Sequence, residues 1–349
     1  MKFKALKFKA FSILSVFVFF YVFSNFYFIP MDTAINAGAV SVSDKRLVVG
    51  GETVGIKLYS EGIVCIGLQN IDGRCPAREA GLRQGDVIYS ANGVLLNDSE
   101  DFAKAIEGVN GSISIVYMRG KDTISTKIQP IRDSEGKTRI GLWVRDSVAG
   151  VGTITFYDKE SDRVVSLGHA VTDSDTGQIF KVRNGYITDC QIVSIKKGQS
   201  GNPGEIQGRF LPDEHIYGYL TKNTSSGLFA NSSGCTKIDG QEYPVAEPAE
   251  IKEGPAKILT DLAGNGVEEY DIVIRRVYYK SCIAGSDLLI ELTDKRLLDL
   301  TGGIIQGMSG CPIIQDGKLV GAVTHVFVND PKRGYGIFIS SILNEIGNN

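Results

Sequence analysis

The chain has 349 residues, 43% hydrophobic and 22% charged, which is enough apolar material for two packed domains and too much for a solvating, disordered polymer. Its formal net charge of -3, from 37 Lys+Arg against 40 Asp+Glu, offers no basic field for a phosphate backbone and argues against nucleic acid as a partner. The only histidines are His169, His215 and His325, and neither C-x-x-C nor H-E-x-x-H occurs, so no metal site and no cofactor are expected.

At the start, Lys2, Lys4, Lys7 and Lys9 precede an uncharged run from Ala10 to Pro30. Residues 1–31 therefore read as an export signal or membrane anchor with its lysines on the cytoplasmic side, which makes everything beyond Asp32 extracytoplasmic. Ala37-Gly38-Ala39 offers a signal-peptidase site, and a cleaved leader and a retained anchor both stay open. Residues 32–45 are small or polar and suit a linker. Six cysteines (65, 75, 190, 235, 282 and 311) are scattered without framework spacing, and no specific disulfide is predicted.

Residues 46–131 alternate short strands with two brief helices. Val54 to Leu58 and Gly62 to Leu68 are apolar strands, and Pro76 to Ala80 is a short helix that Gly81 can stop. Gly85-Asp86 turns into Val87-Ile88-Tyr89, and Asn92-Gly93 is a two-residue hairpin signal. Asn97 or Asp98 can cap the next helix, in which Phe102 and Ile106 face one core, and the alternation of Ile113, Ile115 and Tyr117 predicts a strand that Ile124 to Ile128 pairs with. The ordered Pro-Ala, Ala-Gly-Leu, Gly-Asp-x-Ile and Asn-Gly series resembles the PDZ domains of bacterial envelope proteases. That resemblance implies a small α+β sandwich that adds a peptide strand at an exposed edge. It puts Gly55, Ile56 and Lys57 at the peptide-binding loop and strand.

Residues 132–349 are dominated by glycine-punctuated strands and predict a β-rich double barrel or sandwich. A serine hydroxyl is a poor nucleophile until a base takes its proton, and its tetrahedral oxyanion needs backbone donors fixed in advance. Gly307-Met308-Ser309-Gly310-Cys311-Pro312 can supply both, with the N–H groups of Gly307 and Ser309 as the oxyanion hole and an apolar hairpin behind. A rival pattern stands at Gly198-Gln199-Ser200-Gly201, but Ser200 runs into the Asn202-Pro203-Gly204 turn with no buried strand to fix it, so Ser309 is the nucleophile expected. Of the histidines, His169 lies at a strand end beside small residues and is the candidate base. His325 reads as a cleft wall or core residue, and His215 as a surface turn.

Leu167-Gly168-His169 with Asp173-x-Asp175-Thr176-Gly177, the run Lys197 to Glu205, Gly302 to Pro312, and Gly321 to Pro331 together resemble the stage IV sporulation protein B family of serine peptidases. The resemblance implies a mainly β protein in which a PDZ domain leads into a trypsin-like, β-barrel-type serine peptidase. It implies a signalling endopeptidase secreted from the forespore into the space between two membranes. There it cleaves itself and a membrane-associated regulatory protein that restrains an intramembrane protease, so that pro-sigma-K is processed. Carried over by motif, the catalytic residues fall on Ser309, His169 and Asp294. The acid stays open at this point, because Asp173 or Asp175 could orient the imidazole and Asp294 could instead cap a helix at Lys295. Cys311 stands where Gly or Ser is usual in the family, and the ending Phe338 to Leu343 differs from the family's. Protein substrates are expected, and the PDZ ligand could be a substrate, the regulator or the chain's own N-terminal segment. A housekeeping envelope protease of the high-temperature-requirement type and a catalytically silent PDZ adaptor are the competing readings.

Overall fold

The structure, a computed structural model, describes residues 45–234, 238, 240–280 and 285–347, so the expected export segment and all but the last residue of the linker lie outside the described residues. Among the described residues no helix is long and apolar enough to cross a membrane.

Strand β1 (Arg46–Val49) leads into β2 (Thr53–Leu68), which is 16 residues long and spans roughly 50 Å at about 3.3 Å per residue. The two apolar segments seen in the sequence are one strand serving two sheets. The change occurs at Gly62, where φ is 72° and an added Cβ would stand 2.5 Å from the Ile88 carbonyl oxygen, so no side chain fits. Beyond it Ile63 and Val64 pair with β3 (Val87–Ala91), after the short helix α1 (Pro76–Glu79). Asn92 and Gly93, at φ 50° and 80°, close the expected hairpin to β4 (Val94–Leu95).

Helix α2 (Ser99–Ile106) starts at Asp98, whose carboxylate accepts the Asp101 N–H at 2.7 Å. β5 (Ile113–Arg119) and β6 (Asp122–Ile128) complete the small sandwich, with Ile88, Ile113, Ile115 and Ile128 fully buried. Each such burial is worth about 1.5–3 kcal/mol. The buried Asp86 is held by two 2.8 Å bonds from Arg119. A small hairpin of β7 (Ile131–Arg132) and β8 (Thr138–Arg139) then hands the chain to β9 (Leu142–Asp158), which returns beside β2 along almost its whole length.

β10 (Arg163–Ser166), β11 (Val182–Lys196), β12 (Glu205–Phe210), β13 (Ile216–Thr224) and β14 (Gly227–Ser232) follow. The order β9-β10-β14-β13-β11-β2 closes on itself because β2 also pairs with β9, while β12 hangs from β11. β15 (Glu242–Pro244) pairs with β1. A second closed barrel runs β16 (Gly254–Thr260), β17 (Glu268–Val277), β18 (Leu288–Leu292), β21 (Asp330–Phe338), β20 (Lys318–Phe327) and β19 (Pro312–Gln315). Helix α3 (Lys295–Thr301) precedes the Ser309 loop, and α4 (Ile339–Gly347) packs Ile339, Ile342 and Leu343 into the core.

The expected boundary between residues 131 and 132 is therefore corrected. β1 and the first half of β2 belong to the first barrel, and the small sandwich is inserted between β2 and β9. Local patterning hides this, because a strand that crosses from one sheet to another keeps the same period of two throughout.

Candidate active site

The Ser309 loop is tied down at almost every second amide. Met308 N–H donates to the Ile305 carbonyl at 3.1 Å and Gly310 N–H to the Val323 carbonyl at 2.8 Å. The N–H groups of Gly307 and Ser309, between them, have no acceptor among the described residues. From the first barrel, Thr153 of β9 donates its N–H to the Ser309 carbonyl at 3.0 Å and its hydroxyl to the Gly307 carbonyl at 2.8 Å. Gly307 and Gly310 have φ of 103° and 97°, and a Cβ on Gly310 would lie 2.2 Å from the Thr153 carbonyl oxygen. Both glycines are thus required by the curl that leaves two amides free. Cys311 is buried behind the loop with its thiol pushed up to about 11 by desolvation, so it packs as a small apolar group.

His169 reaches the same cleft by a kink. After β10 ends at Ser166, Leu167 and Gly168 both take left-handed conformations, φ 72° and 69°. A buried leucine held there stores roughly 1–3 kcal/mol of strain, and the reward is a reversal that delivers His169 to the cleft between the barrels. The imidazole Nδ1 lies 2.8 Å from the Ala170 carbonyl, an acceptor only, so Nδ1 carries the proton and Nε2 keeps its lone pair. Desolvation pushes its pKa down to about 4, against the pull of the Ala170 bond and helped by the neighbouring His325. The two imidazoles lie with centroids 4.8 Å apart and tilted by 36°. His325 thus forms a wall of the cleft, as its place after the serine hairpin suggested.

Ser309, His169, His325, Gly307, Thr324 and Val151 line one cavity of about 460 Å³. The Ser309 hydroxyl donates to the Thr324 carbonyl at 2.8 Å, so in this resting geometry its proton points at β20 and not at the imidazole. Ser309 and His169 share the lining of this cavity, and unliganded sites commonly form their catalytic hydrogen bonds only around substrate.

None of the three aspartates orients the imidazole. Asp294, carried over as the catalytic acid, is the N-cap of α3: its carboxylate takes the Arg296 N–H at 2.8 Å and the Arg296 guanidinium at 3.0 Å. Arg296 first of all holds its pKa below the usual carboxylate range. Asp173 and Asp175 both face Arg145 of β9, Asp175 at 2.7 Å. In place of an acid, the backbone carbonyl of Ala170 fixes the His169 tautomer. His215 meets the Tyr217 ring edge-on, with centroids 4.6 Å apart, outside this cleft.

Gly55, Ile56 and Lys57 cannot accept a peptide strand. They sit mid-barrel in β2, paired on one side with Val151, Gly150 and Ala149 and on the other with Thr188, Ile187 and Tyr186. A separate groove lies beside α2: Ser99, Phe102, Ala103 and Ile106, one face of that helix, line a cavity of about 650 Å³ together with Arg139 to Val144. The Ile140 and Gly141 carbonyls accept the Ala77 and Gln69 amides at 2.9 and 3.0 Å. Because those peptides are trans, the N–H groups of Gly141 and Leu142 point the opposite way. Arg139-Ile140-Gly141-Leu142, a glycine between apolar residues ahead of a strand, was the available signal, hidden by lying beyond the expected domain end.

A family profile described as SpoIVB peptidase S55 matches residues 136–343. The search of curated proteins returned no match. Among solved structures, the active form of the Rv3671c protease from M. tuberculosis aligns at 17% identity over 57% of this chain and 74% of that one, with a TM-score of 0.32. A thermostable serine protease, AL20, from an extremophilic microorganism aligns at 13% identity over 62% of this chain and 91% of that one, with a TM-score of 0.33. The PDZ domain of an SdrC-like protein from Listeria monocytogenes aligns at 23% identity over 24% of this chain and 87% of that one, with a TM-score of 0.21.

Proposed function

The chain belongs to the SpoIVB peptidase S55 family and is a serine peptidase, and from that premise we propose that Ser309 is its nucleophile, His169 its general base and the Gly307 and Ser309 amides its oxyanion hole. The observation that carries this reading is the pair of unbonded amides flanking Met308, in a loop braced on both sides, within one cavity shared by Ser309 and a neutral His169.

Substrate enters beside β20, the Ser309 hydroxyl leaves the Thr324 carbonyl, and His169 Nε2 takes its proton as Oγ attacks the peptide carbonyl. The oxyanion forms against the two free amides, each worth about a hundredfold to a thousandfold in rate. The imidazolium gives its proton to the departing amine, and water, deprotonated by the same ring, releases the acyl group. Ala170 supports the imidazolium through Nδ1–H.

Membership of the family supports a sporulation setting for this reading. The protein is exported into the space around the forespore, cleaves itself and cuts a membrane-associated regulator that restrains an intramembrane protease, triggering pro-sigma-K processing. The groove between α2 and Arg139–Val144 takes an extended peptide ending in a carboxylate, with the Gly141 and Leu142 amides as its donors. Co-expression with the regulator tests the assignment: its cleavage and the chain's own self-cleavage should both vanish in Ser309→Ala. Indiscriminate degradation of unfolded proteins, with the regulator left intact, would overturn the signalling role.

A further inference from the structure

The run Lys197 to Glu205 contains the second glycine-flanked serine, and nothing in the proposed mechanism uses it. Its end is joined to the Ser309 loop by backbone hydrogen bonds. Gln306 N–H donates to the Gly204 carbonyl and the Gln306 carbonyl accepts the Ile206 N–H, both at 2.9 Å, a two-bond parallel bridge. The second bond matters for chemistry. The Gln306–Gly307 peptide is trans, so a carbonyl fixed on Ile206 sends the Gly307 N–H in the opposite direction, to the side where an oxyanion would form.

Without a clamp this peptide could flip. Glycine accepts both orientations at little cost, and a flip would replace a donor in the hole by a carbonyl oxygen. Ile206 also packs against the bare face of Gly307, where an added Cβ would meet Ile206 Cδ1 at 2.7 Å. Gly204 in turn has no room: a Cβ there would stand 2.3 Å from the Lys196 carbonyl oxygen, 2.4 Å from Gly198 N and 2.6 Å from Ile305 Cγ2. The far end of the run is anchored too, with Gly198 N–H on the Thr301 carbonyl at 2.8 Å and the Ser200 hydroxyl on the Asn329 carbonyl at 2.9 Å.

We infer that Gly204 and Ile206 are positioning residues that lock the Gln306–Gly307 peptide in the orientation an oxyanion hole requires. This rests on the reading of Ser309 as nucleophile. The test is the labelling of full-length protein by a fluorophosphonate, resolved into a binding constant and a maximal rate. Gly204→Ala should lower the maximal rate about 100-fold, the loss typical of one oxyanion donor, with binding held within about twofold. Ser200→Ala, which leaves the bridge intact, should stay within about twofold in both. Should Gly204→Ala fail to fold, an ester in place of the amide at Ile206, which removes only that N–H, should give the same split. A folded Gly204→Ala or Ile206 ester protein that labels at the wild-type rate would overturn the inference, as would an equal fall in Ser200→Ala. Wild-type protein that takes no label would overturn the reading of Ser309 itself, and the brace with it.

Discussion

Ser200 and Ser309 have the same immediate neighbours, a glycine before the preceding residue and a glycine after, yet the fold uses them in opposite ways. At Ser309 the Gly307 amide has no acceptor among the described residues and borders a cavity shared with His169, while at Ser200 the corresponding Gly198 amide is bonded to the Thr301 carbonyl and the hydroxyl to the Asn329 carbonyl. Gly201 N–H donates to the Val328 carbonyl at 2.8 Å, and Gln199 and Asn202 bond each other. A glycine-flanked serine therefore marks a tight curl in both places, and what surrounds the curl decides whether it presents donors or consumes them.

The sharpest way to break this comparison is to remove each side chain in turn. Ser309→Ala and His169→Ala should each cut turnover of a protein substrate by about four to six orders of magnitude, while Ser200→Ala stays within about twofold. Comparable losses at both serines would erase the distinction.

The acid limb of the activity profile probes the base. His169 must be neutral to accept a proton, and desolvation holds its pKa at about 4, so kcat/KM should be flat down through pH 6 and fall as pH drops through about 4. A limb near the ordinary histidine value of about 6.5 would contradict the crowded setting of the ring.

Thr153→Val keeps the shape of β9 but deletes the hydroxyl bond to the Gly307 carbonyl, and a loss of about tenfold in kcat with KM unchanged is expected from a single buried hydrogen bond. The smallest effect separates a cap from a catalytic acid. Asp294→Ala should cost about 1 kcal/mol in thermal stability and leave kcat/KM within about threefold, measured by melting and by peptide turnover. A loss of several orders of magnitude at this position would restore Asp294 to the catalytic machinery.

Much of this was legible in the sequence wherever the determinant is local. Pro76, Asp98, Asn92-Gly93 and the alternation of Ile113, Ile115 and Tyr117 set caps, turns and faces through neighbours a few residues away. The glycines about Ser309 likewise announce their own curl. What the sequence hid is the set of relations between distant strands. That β2 has both edges filled at Gly55 to Lys57 depends on β9 and β11, more than 90 and 120 residues downstream. Asp294 satisfies the spacing of a catalytic acid and of a helix cap equally, and only the nearness of Arg296 and α3 separates them. The loop after Ser200 looked unanchored because Ile206 is one buried residue in a short strand, and its partner, Gln306, lies a hundred residues away.

One measurement tests the central claim most directly: mass-spectrometric mapping of the fluorophosphonate adduct on the intact protein, repeated with His169→Ala. The adduct should fall on Ser309 alone and disappear when the imidazole is removed. An adduct on Ser200, or undiminished labelling of Ser309 without His169, would contradict the account.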